Sequence, residues 1–211
     1  MANLPPLPKL PRWDGPLSHP FYSNVVKRVL DFTLALLMLI PASFVMIPLA
    51  IWVKLDSPGP VFYRAVRGGY KNQPFYIMKF RTMVVDADKT GGCTAKDDPR
   101  VTKSGKIMRR LKLDELPQLL NILKGEMSLV GPRPERAYFY DKFETYIPDF
   151  RQRMQVKPGL TGLAQVNGGY ELRPEEKLEY DMEYIRTQSM LLDLKCILKT
   201  ARLVFTHEGA R

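Results

Sequence analysis

From Thr33 to Val53 the chain runs for 21 residues without a charge, TLALLMLIPASFVMIPLAIWV. No other stretch narrows the possible folds as much. A helix of about 20 apolar residues crosses ~30 Å of hydrocarbon. Buried in a soluble core, the same helix needs apolar cover on every side. Pro41 falls in mid-run and Pro48 follows it. A proline inside a helix removes a backbone hydrogen bond and bends the axis. The run is consistent with a kinked helix that spans the bilayer. It is also consistent with a re-entrant helix that bends at Pro41 and returns both ends to one face. Lys27 and Arg28 precede the run and Lys54 follows it. Basic flanks on both sides fit the re-entrant form, because positive charge gathers on the cytoplasmic side. A helix buried in a soluble core is the third reading.

Around this run the chain divides into a proline-rich arm (1–24), the membrane helix (25–54) and one globular domain (55–211). The arm carries Pro5, Pro6, Pro8, Pro11, Pro16 and Pro20 and reads as extended, with no signal peptide. In the domain, Val61–Arg64 and Phe75–Phe80 read as strands joined through Gly68–Pro74, and Val84–Arg100 reads as a surface loop. Val101–Leu113 reads as a basic helix capped by Ser104 or a neighbour, and Arg136–Ile147 reads as a helix. Phe150–Val156 fits helix or strand equally. Arg173–Gln188 reads as a helix with Pro174 in its first turn and Glu175, Glu176 and Glu179 toward its N-terminal end. Met190–Phe205 reads as an amphipathic helix that packs on the domain or lies on the membrane surface. The expected fold class is α/β, mostly helical.

Lysine and arginine number 32 against 22 aspartates and glutamates, a net charge of +10. Such a balance favours anionic partners: phosphate esters, nucleic acid or an anionic membrane face. The two cysteines, Cys93 and Cys196, lack CxxC spacing, and the two histidines, His19 and His207, lie near the ends. This argues against a zinc site, a disulfide framework and a histidine triad, and for a reducing compartment.

The chemistry gathers between Ser104 and Arg136. Asp114 and Glu115 are adjacent, so on a regular helix they point about 100° apart and do not share one proton. One carboxylate can act as a nucleophile on phosphorus or bind magnesium, while the other manages a proton. The turn Gly131-Pro132-Arg133-Pro134 presents an arginine on a stiff backbone, and arginine offers phosphate a bidentate fork. Arg109 and Arg110 lie about one turn before Asp114, and Lys79 and Arg81 sit at a strand end. Lys157–Gly162 is a turn whose N–H groups can approach an anion. Each feature alone is also compatible with a solvated surface.

Together, and in order, these motifs resemble the bacterial sugar transferases, the monotopic phosphoglycosyl transferases that start glycan assembly on a polyprenol phosphate. The match runs through Lys27-Arg28 with Asp31, Ser57-Pro58-Gly59-Pro60, Lys79-Phe80-Arg81-Thr82-Met83 and Asp98-Pro99-Arg100. It continues through Leu113-Asp114-Glu115-Leu116-Pro117-Gln118, Lys124 to Pro134, Lys157 to Gly162, and Asp181 with Tyr184. The resemblance implies a two-step reaction. Asp114 attacks the sugar-bearing phosphate of a UDP-sugar, UMP leaves, and a polyprenol (undecaprenyl) phosphate takes the phospho-sugar from the enzyme. It implies Mg2+ at Asp114, Glu115 as the dyad partner and Arg133 as the phosphate-binding arginine. It places Lys79, Arg81, Arg109, Pro134, Gln165 and Asp181 among the substrate-binding positions. It also implies a membrane helix bent at Pro41 in one leaflet, a bacterial inner-membrane location with the domain facing the cytoplasm, and anionic lipid as a docking surface. Two departures stand out: Ile40 precedes Pro41 where members often carry serine, and Gly168-Gly169-Tyr170 replaces a frequent Gly-Arg. A basic nucleic-acid binder with a membrane tether is a rival class, but no nucleic-acid-binding signature supports it. A membrane scaffold is another. A homodimer is compatible with the arm and the C-terminal helix.

Overall fold

The computed structural model describes residues 19–87, 98–169 and 171–206. Helix α1 (Lys27–Asp56) carries the uncharged run and stays helical through Pro41 and Pro48. A π-helical turn, Tyr22–Val26, leads into it. The helical geometry thus starts before residue 25, in what the composition suggests is an extended arm; the rest of the arm lies outside the described residues. Within α1, Lys27, Asp31, Ala35, Ala42, Leu49 and Val53 are buried. Spacings of four and seven residues put them on one stripe of the helix. The opposite face leaves Phe32, Leu36, Ile40, Phe44, Ile47, Ile51 and Leu55 exposed. The most apolar part of the helix has a mean hydropathy of 2.5 and is only 11% buried. A soluble core helix is mostly buried, so that reading is set aside. The helix is long and apolar enough to cross a membrane.

The domain follows directly. Strands β1 (Phe62–Gly68) and β2 (Pro74–Phe80) form an antiparallel hairpin, paired from Phe62 opposite Phe80 to Gly68 opposite Pro74. Both the strands and the hairpin were legible, although β1 runs further than Arg64. Then come α2 (Lys103–Arg110), α3 (Gln118–Lys124), β3 (Ser128–Val130) and α4 (Ala137–Glu144). Phe150–Gln155 is a 3₁₀ helix rather than a strand. Next are β4 (Gly159–Thr161), α5 (Leu163–Val166), α6 (Pro174–Thr187) and α7 (Met190–Thr206). β3 and β4 pair in parallel, Ser128 opposite Gly159 and Val130 opposite Thr161. The fold is mostly helical, as expected, with two small two-stranded sheets. One buried cluster joins α1 through Ala35 to β2 (Phe75, Ile77), α3 (Leu119, Ile122), α4 (Tyr140) and α6 (Met182, Ile185).

Polar contacts fasten α1 to this domain at both ends. At its start the Lys27 ammonium donates to Asp193 of α7 at 2.5 Å, and Tyr22 Oη donates to the same carboxylate at 2.6 Å. Asp31 accepts the Leu129 amide at 3.0 Å. At its end Asp56 accepts both the Ser104 amide and its hydroxyl, at 2.9 and 2.8 Å. Ser104 is therefore not the cap of α2; Thr102 is, accepting from the Gly105 amide at 3.0 Å. Arg81 donates to the carbonyls of Pro58 and Ser57 at 2.6 and 2.8 Å. α7 both packs and presents: Asp193 and Cys196 are buried, while Met190, Leu191, Leu194 and Leu198 are exposed.

One buried side chain sets the position of β2. Asn121 of α3 accepts the Met78 amide at 3.0 Å and donates to the Tyr76 carbonyl at 2.8 Å and to Glu126 at 2.7 Å. Its amide completes the outer edge of the strand as a neighbouring strand would. Asn121→Ala strands the buried Met78 amide and the partly buried Tyr76 carbonyl. It should destabilise the detergent-solubilised protein by about 2–4 kcal/mol, read from urea or thermal unfolding. A loss near zero would mean that β2 does not depend on this side chain.

Candidate active site

α2 ends at Arg110 and the next turn is sharp. Lys112 takes a left-handed conformation (φ 56°), and Leu113–Glu115 form a single 3₁₀ turn. Asp114 and Glu115 therefore sit on a short 3₁₀ connector rather than on a regular helix. A 3₁₀ turn rotates successive side chains by about 120°, so the two carboxylates diverge and meet different surroundings.

Glu115 is held on both sides. Lys79, next to last in β2, donates to Oε1 at 2.6 Å, and Arg133 donates to the same oxygen at 2.6 Å and to Oε2 at 3.4 Å. The Glu115 carboxyl lies well below the usual carboxylate range, because the two cations outweigh the cost of burial. Asp114 is buried and has moved the other way. Desolvation raises its pKa to about 6, against the pull of Lys79, with Glu115 pushing in the same direction as burial. Two adjacent acids thus differ by environment: Glu115 is held ionised by two cations, whereas Asp114 is buried with its pKa raised.

The arginine turn is built by backbone packing. The Gly131 amide donates to the Thr161 carbonyl at 2.8 Å and the Gly159 amide to the Pro132 carbonyl at 2.9 Å. A Cβ on Gly131 would lie 2.4 Å from the Lys157 carbonyl oxygen, so only glycine allows this approach. The Lys157–Gly162 turn thus braces the arginine turn, with the Gly159 amide engaged by the Pro132 carbonyl. Behind it, Arg153 donates to the Arg133 carbonyl at 3.1 Å and pairs with Asp181 at 2.6 Å, both fully buried.

The structure therefore gathers Asp114, Glu115, Lys79 and Arg133 in one place. Arg109 stands close enough to bear on Asp114 and donates to Thr82 Oγ1 at 2.9 Å. Pro134 is buried in the turn. Three expected substrate ligands are placed otherwise. Arg81 is spent on carbonyls at the end of α1. Asp181 is enclosed with Arg153. Gln165 donates to the Leu160 carbonyl at 2.9 Å and so braces β4. Asn121 and Arg153, which position Lys79 and Arg133, carry no sequence signal of that role, since their partners lie far along the chain.

Magnesium is fitted best by a minimal donor set. No group of three or more histidine, cysteine or acidic side chains comes together among the described residues. Glu115 is already saturated by cations, whereas Asp114 is a buried carboxylate outside that clamp. One carboxylate plus the oxygens of a diphosphate is a usual magnesium environment, so Asp114 fits an ion that shares a phosphorylated ligand.

Comparison with known proteins identifies the family of the chain. Residues 22–207 match the family model for bacterial sugar transferase. The chain is 42% identical over 199 residues to the UDP-N-acetylgalactosamine-undecaprenyl-phosphate N-acetylgalactosaminephosphotransferase of Aeromonas hydrophila, covering 92% of this chain and 47% of that one. It is 40% identical over 210 residues to the UDP-glucose:undecaprenyl-phosphate glucose-1-phosphate transferase of Escherichia coli, covering 97% of this chain and 45% of that one. An uncharacterised sugar transferase of Bacillus subtilis is 42% identical over 185 residues, 88% of this chain and 90% of that one. The chain thus spans about half the length of the first two relatives and most of the third. A family match over nearly the whole chain, and a paired acidic turn ringed by cations, make this protein a member of the bacterial sugar transferase family, an enzyme family of transferases.

Proposed function

We propose that the chain transfers a sugar 1-phosphate from a UDP-sugar to undecaprenyl phosphate and releases UMP, with Asp114 as nucleophile. The relatives are named for this reaction type with N-acetylgalactosamine or glucose as the sugar. The observation that carries the assignment is the split between the two acids. Glu115 is neutralised by Lys79 and Arg133, while Asp114 is buried at raised pKa beside the same cations. An under-solvated carboxylate is a better nucleophile than a hydrated one.

In the first step an Asp114 oxygen forms a bond to the sugar-bearing phosphorus. The bond from that phosphorus to the bridging oxygen breaks, and UMP departs with the electron pair. In the second step an oxygen of undecaprenyl phosphate bonds to the same phosphorus and the Asp114 carboxylate leaves. The product is an undecaprenyl diphosphate sugar. Arg133 and Lys79, held in place by Glu115, neutralise charge on the transferred group. Arg109 offsets the charge of Asp114 before reaction. Mg2+ at Asp114, when bound, neutralises diphosphate oxygens. The reaction would be the first membrane step of surface glycan assembly.

The same reading places α1 in one leaflet of the bacterial inner membrane, bent at Pro41, with the domain on the cytoplasmic face. Its support is the fastening of both charged ends of α1 to one polar domain, which a spanning helix could not satisfy across ~30 Å of hydrocarbon. Pro41 leaves a helix carbonyl without its usual donor. Nearby, Ser43 Oγ donates to the Ile40 carbonyl at 2.6 Å. The exposed apolar faces of α1 and α7 suit burial among lipid tails and headgroups.

Detergent-purified protein given Mg2+, undecaprenyl phosphate and a panel of UDP-sugars should release UMP with at least one donor. Silence across the panel would overturn the assignment. Asp114→Asn should lower turnover by about a thousandfold or more; full activity would remove Asp114 from the nucleophile role.

Turnover should also rise with pH through about 6, as Asp114 ionises. Stability should move oppositely. Because the folded pKa lies above the reference 3.8, the folded state holds the proton more tightly, and stability falls as pH rises between the two values. Asp114→Asn should therefore melt higher than the wild type at pH 7 to 8, with the difference closing below about pH 4. An Asn variant that melts lower at neutral pH would contradict the desolvation argument.

Topology has a separate measurement. In a background without Cys93 and Cys196, cysteines at His19 and Lys103 should both be labelled from the same side of sealed vesicles. Labelling from opposite sides would rule out the one-leaflet helix.

A further inference from the structure

The chemistry proposed above leaves two half-buried arginines beside the site without a task. The β1–β2 register sets Tyr63 opposite Lys79, Ala65 opposite Ile77 and Arg67 opposite Phe75. Along β1 it is Tyr63, Ala65 and Arg67 that are half-buried, while Phe62, Arg64 and Val66 are exposed. Cross-strand partners share a face, so Tyr63 stands beside Lys79 and Arg67 follows further along the same face. The residues after the arginine turn close over this face. The Gly68 amide donates to the Glu135 carbonyl at 3.0 Å, and Arg136 donates to Tyr63 Oη at 3.4 Å.

The result is a continuous basic row in which Lys79, Arg133, Arg136 and Arg67 are neighbours. Arg67 spends a hydrogen bond on the carbonyl of its own neighbour, Val66, at 3.0 Å, rather than on an acid. Burial pushes its pKa down, and the guanidiniums of Arg136 and Arg133 act in the same direction, partly offset by Tyr63 and Glu135. Gathering half-buried like charges costs folding energy. Local arrangements that oppose stability mark places built for a ligand, and here the ligand must be anionic.

We propose that Arg67 and Arg136, with Tyr63 between Arg136 and Lys79, form a second phosphate subsite that holds the non-reacting phosphate of the donor, the one that leaves on UMP. The inference rests on the reading of the chain as a sugar-phosphate transferase. Arg133 belongs to both groups: it grips Glu115 beside Asp114 and lies within electrostatic reach of Arg67. Two phosphates that share a bridging oxygen need such adjacent sites. A separate lipid phosphate does not. Guanidinium forks on the departing phosphate would also neutralise the charge it gains as the bridging bond breaks.

The test uses the full chain in detergent, with UMP as the probe in calorimetry and initial rates for the KM of each substrate. Arg67→Gln and Arg136→Gln should each weaken UMP binding roughly ten- to hundredfold. Each should raise the KM for the UDP-sugar while leaving the KM for undecaprenyl phosphate unchanged. Arg67→Lys should recover part of the loss. Unchanged UMP affinity in both glutamine variants overturns the subsite, and so does a rise confined to the undecaprenyl phosphate KM. Should Arg67→Gln fail to fold, as judged by its thermal midpoint, Arg136→Gln gives the same readings and Arg67→Lys a smaller change in the same direction. A wild type that binds UMP, with binding lost in the variants, yet releases none from any UDP-sugar, would sink the transferase reading and leave the subsite standing.

Discussion

The site depends on a single ion cluster. Lys79 comes from a strand, Arg133 from a turn and Glu115 from a one-turn connector, and they meet within 2.6 Å on one carboxylate oxygen. Each of the three needs its own scaffold: Asn121 for β2, the β3–β4 pair for the turn, and the left-handed Lys112 for the connector. Glu115 is the part that makes two cations stable next to each other. Without it they would repel and be drawn to Asp114, lowering its pKa. The clamp thus keeps the cations close and the neighbouring carboxylate incompletely compensated, which is what the nucleophile role proposed for Asp114 requires.

Buried ion pairs contribute less to net stability than their short distances suggest, because desolvation offsets most of the attraction. The Arg153–Asp181 pair and the Lys27–Asp193 contact are better understood as devices of register. The first fixes the carbonyl of Arg133. The second, with Asp31 on the Leu129 amide and Tyr184 on the Val130 carbonyl, ties the start of α1 and the end of α6 to β3. β3 runs straight into the arginine turn. The apolar helix and the chemistry are consequently joined by a few hydrogen bonds rather than by a flexible linker.

Much of this was legible in the sequence because the signals are local. The uncharged run, the β-hairpin, Pro174 at the start of α6, the acidic pair and the Gly-Pro-Arg-Pro turn all announce themselves within a few residues. What was not legible depends on partners far along the chain. Arg81 and Lys79 look alike as strand-end cations, yet one meets carbonyls of the preceding segment and the other meets Glu115. Asp181 reads as an available acid until Arg153 is brought against it across 28 positions. Ser104 reads as a possible cap of α2, but Asp56 takes its amide and hydroxyl and the neighbouring Thr102 caps the helix. Lys112 gives no warning of a left-handed turn, because no glycine marks it, so the basic helix was expected to run on to Leu113.

The contact between Lys27 and Asp193 spans 166 positions, and this separation has a consequence for biosynthesis. At a synthesis rate of about 5–20 residues per second, the start of α1 waits on the order of ten seconds for its counter-ion. Throughout that interval the most apolar part of the chain is already made, and Lys27 has only Asp31, one turn on at 3.8 Å, as an acidic neighbour. Until α7 is made, the charge at the head of α1 is left to water and to Asp31, and the helix lacks its lock to the domain. A chain that stops short of α7 therefore keeps the apolar helix but loses the Asp193 contacts that lock it to the domain.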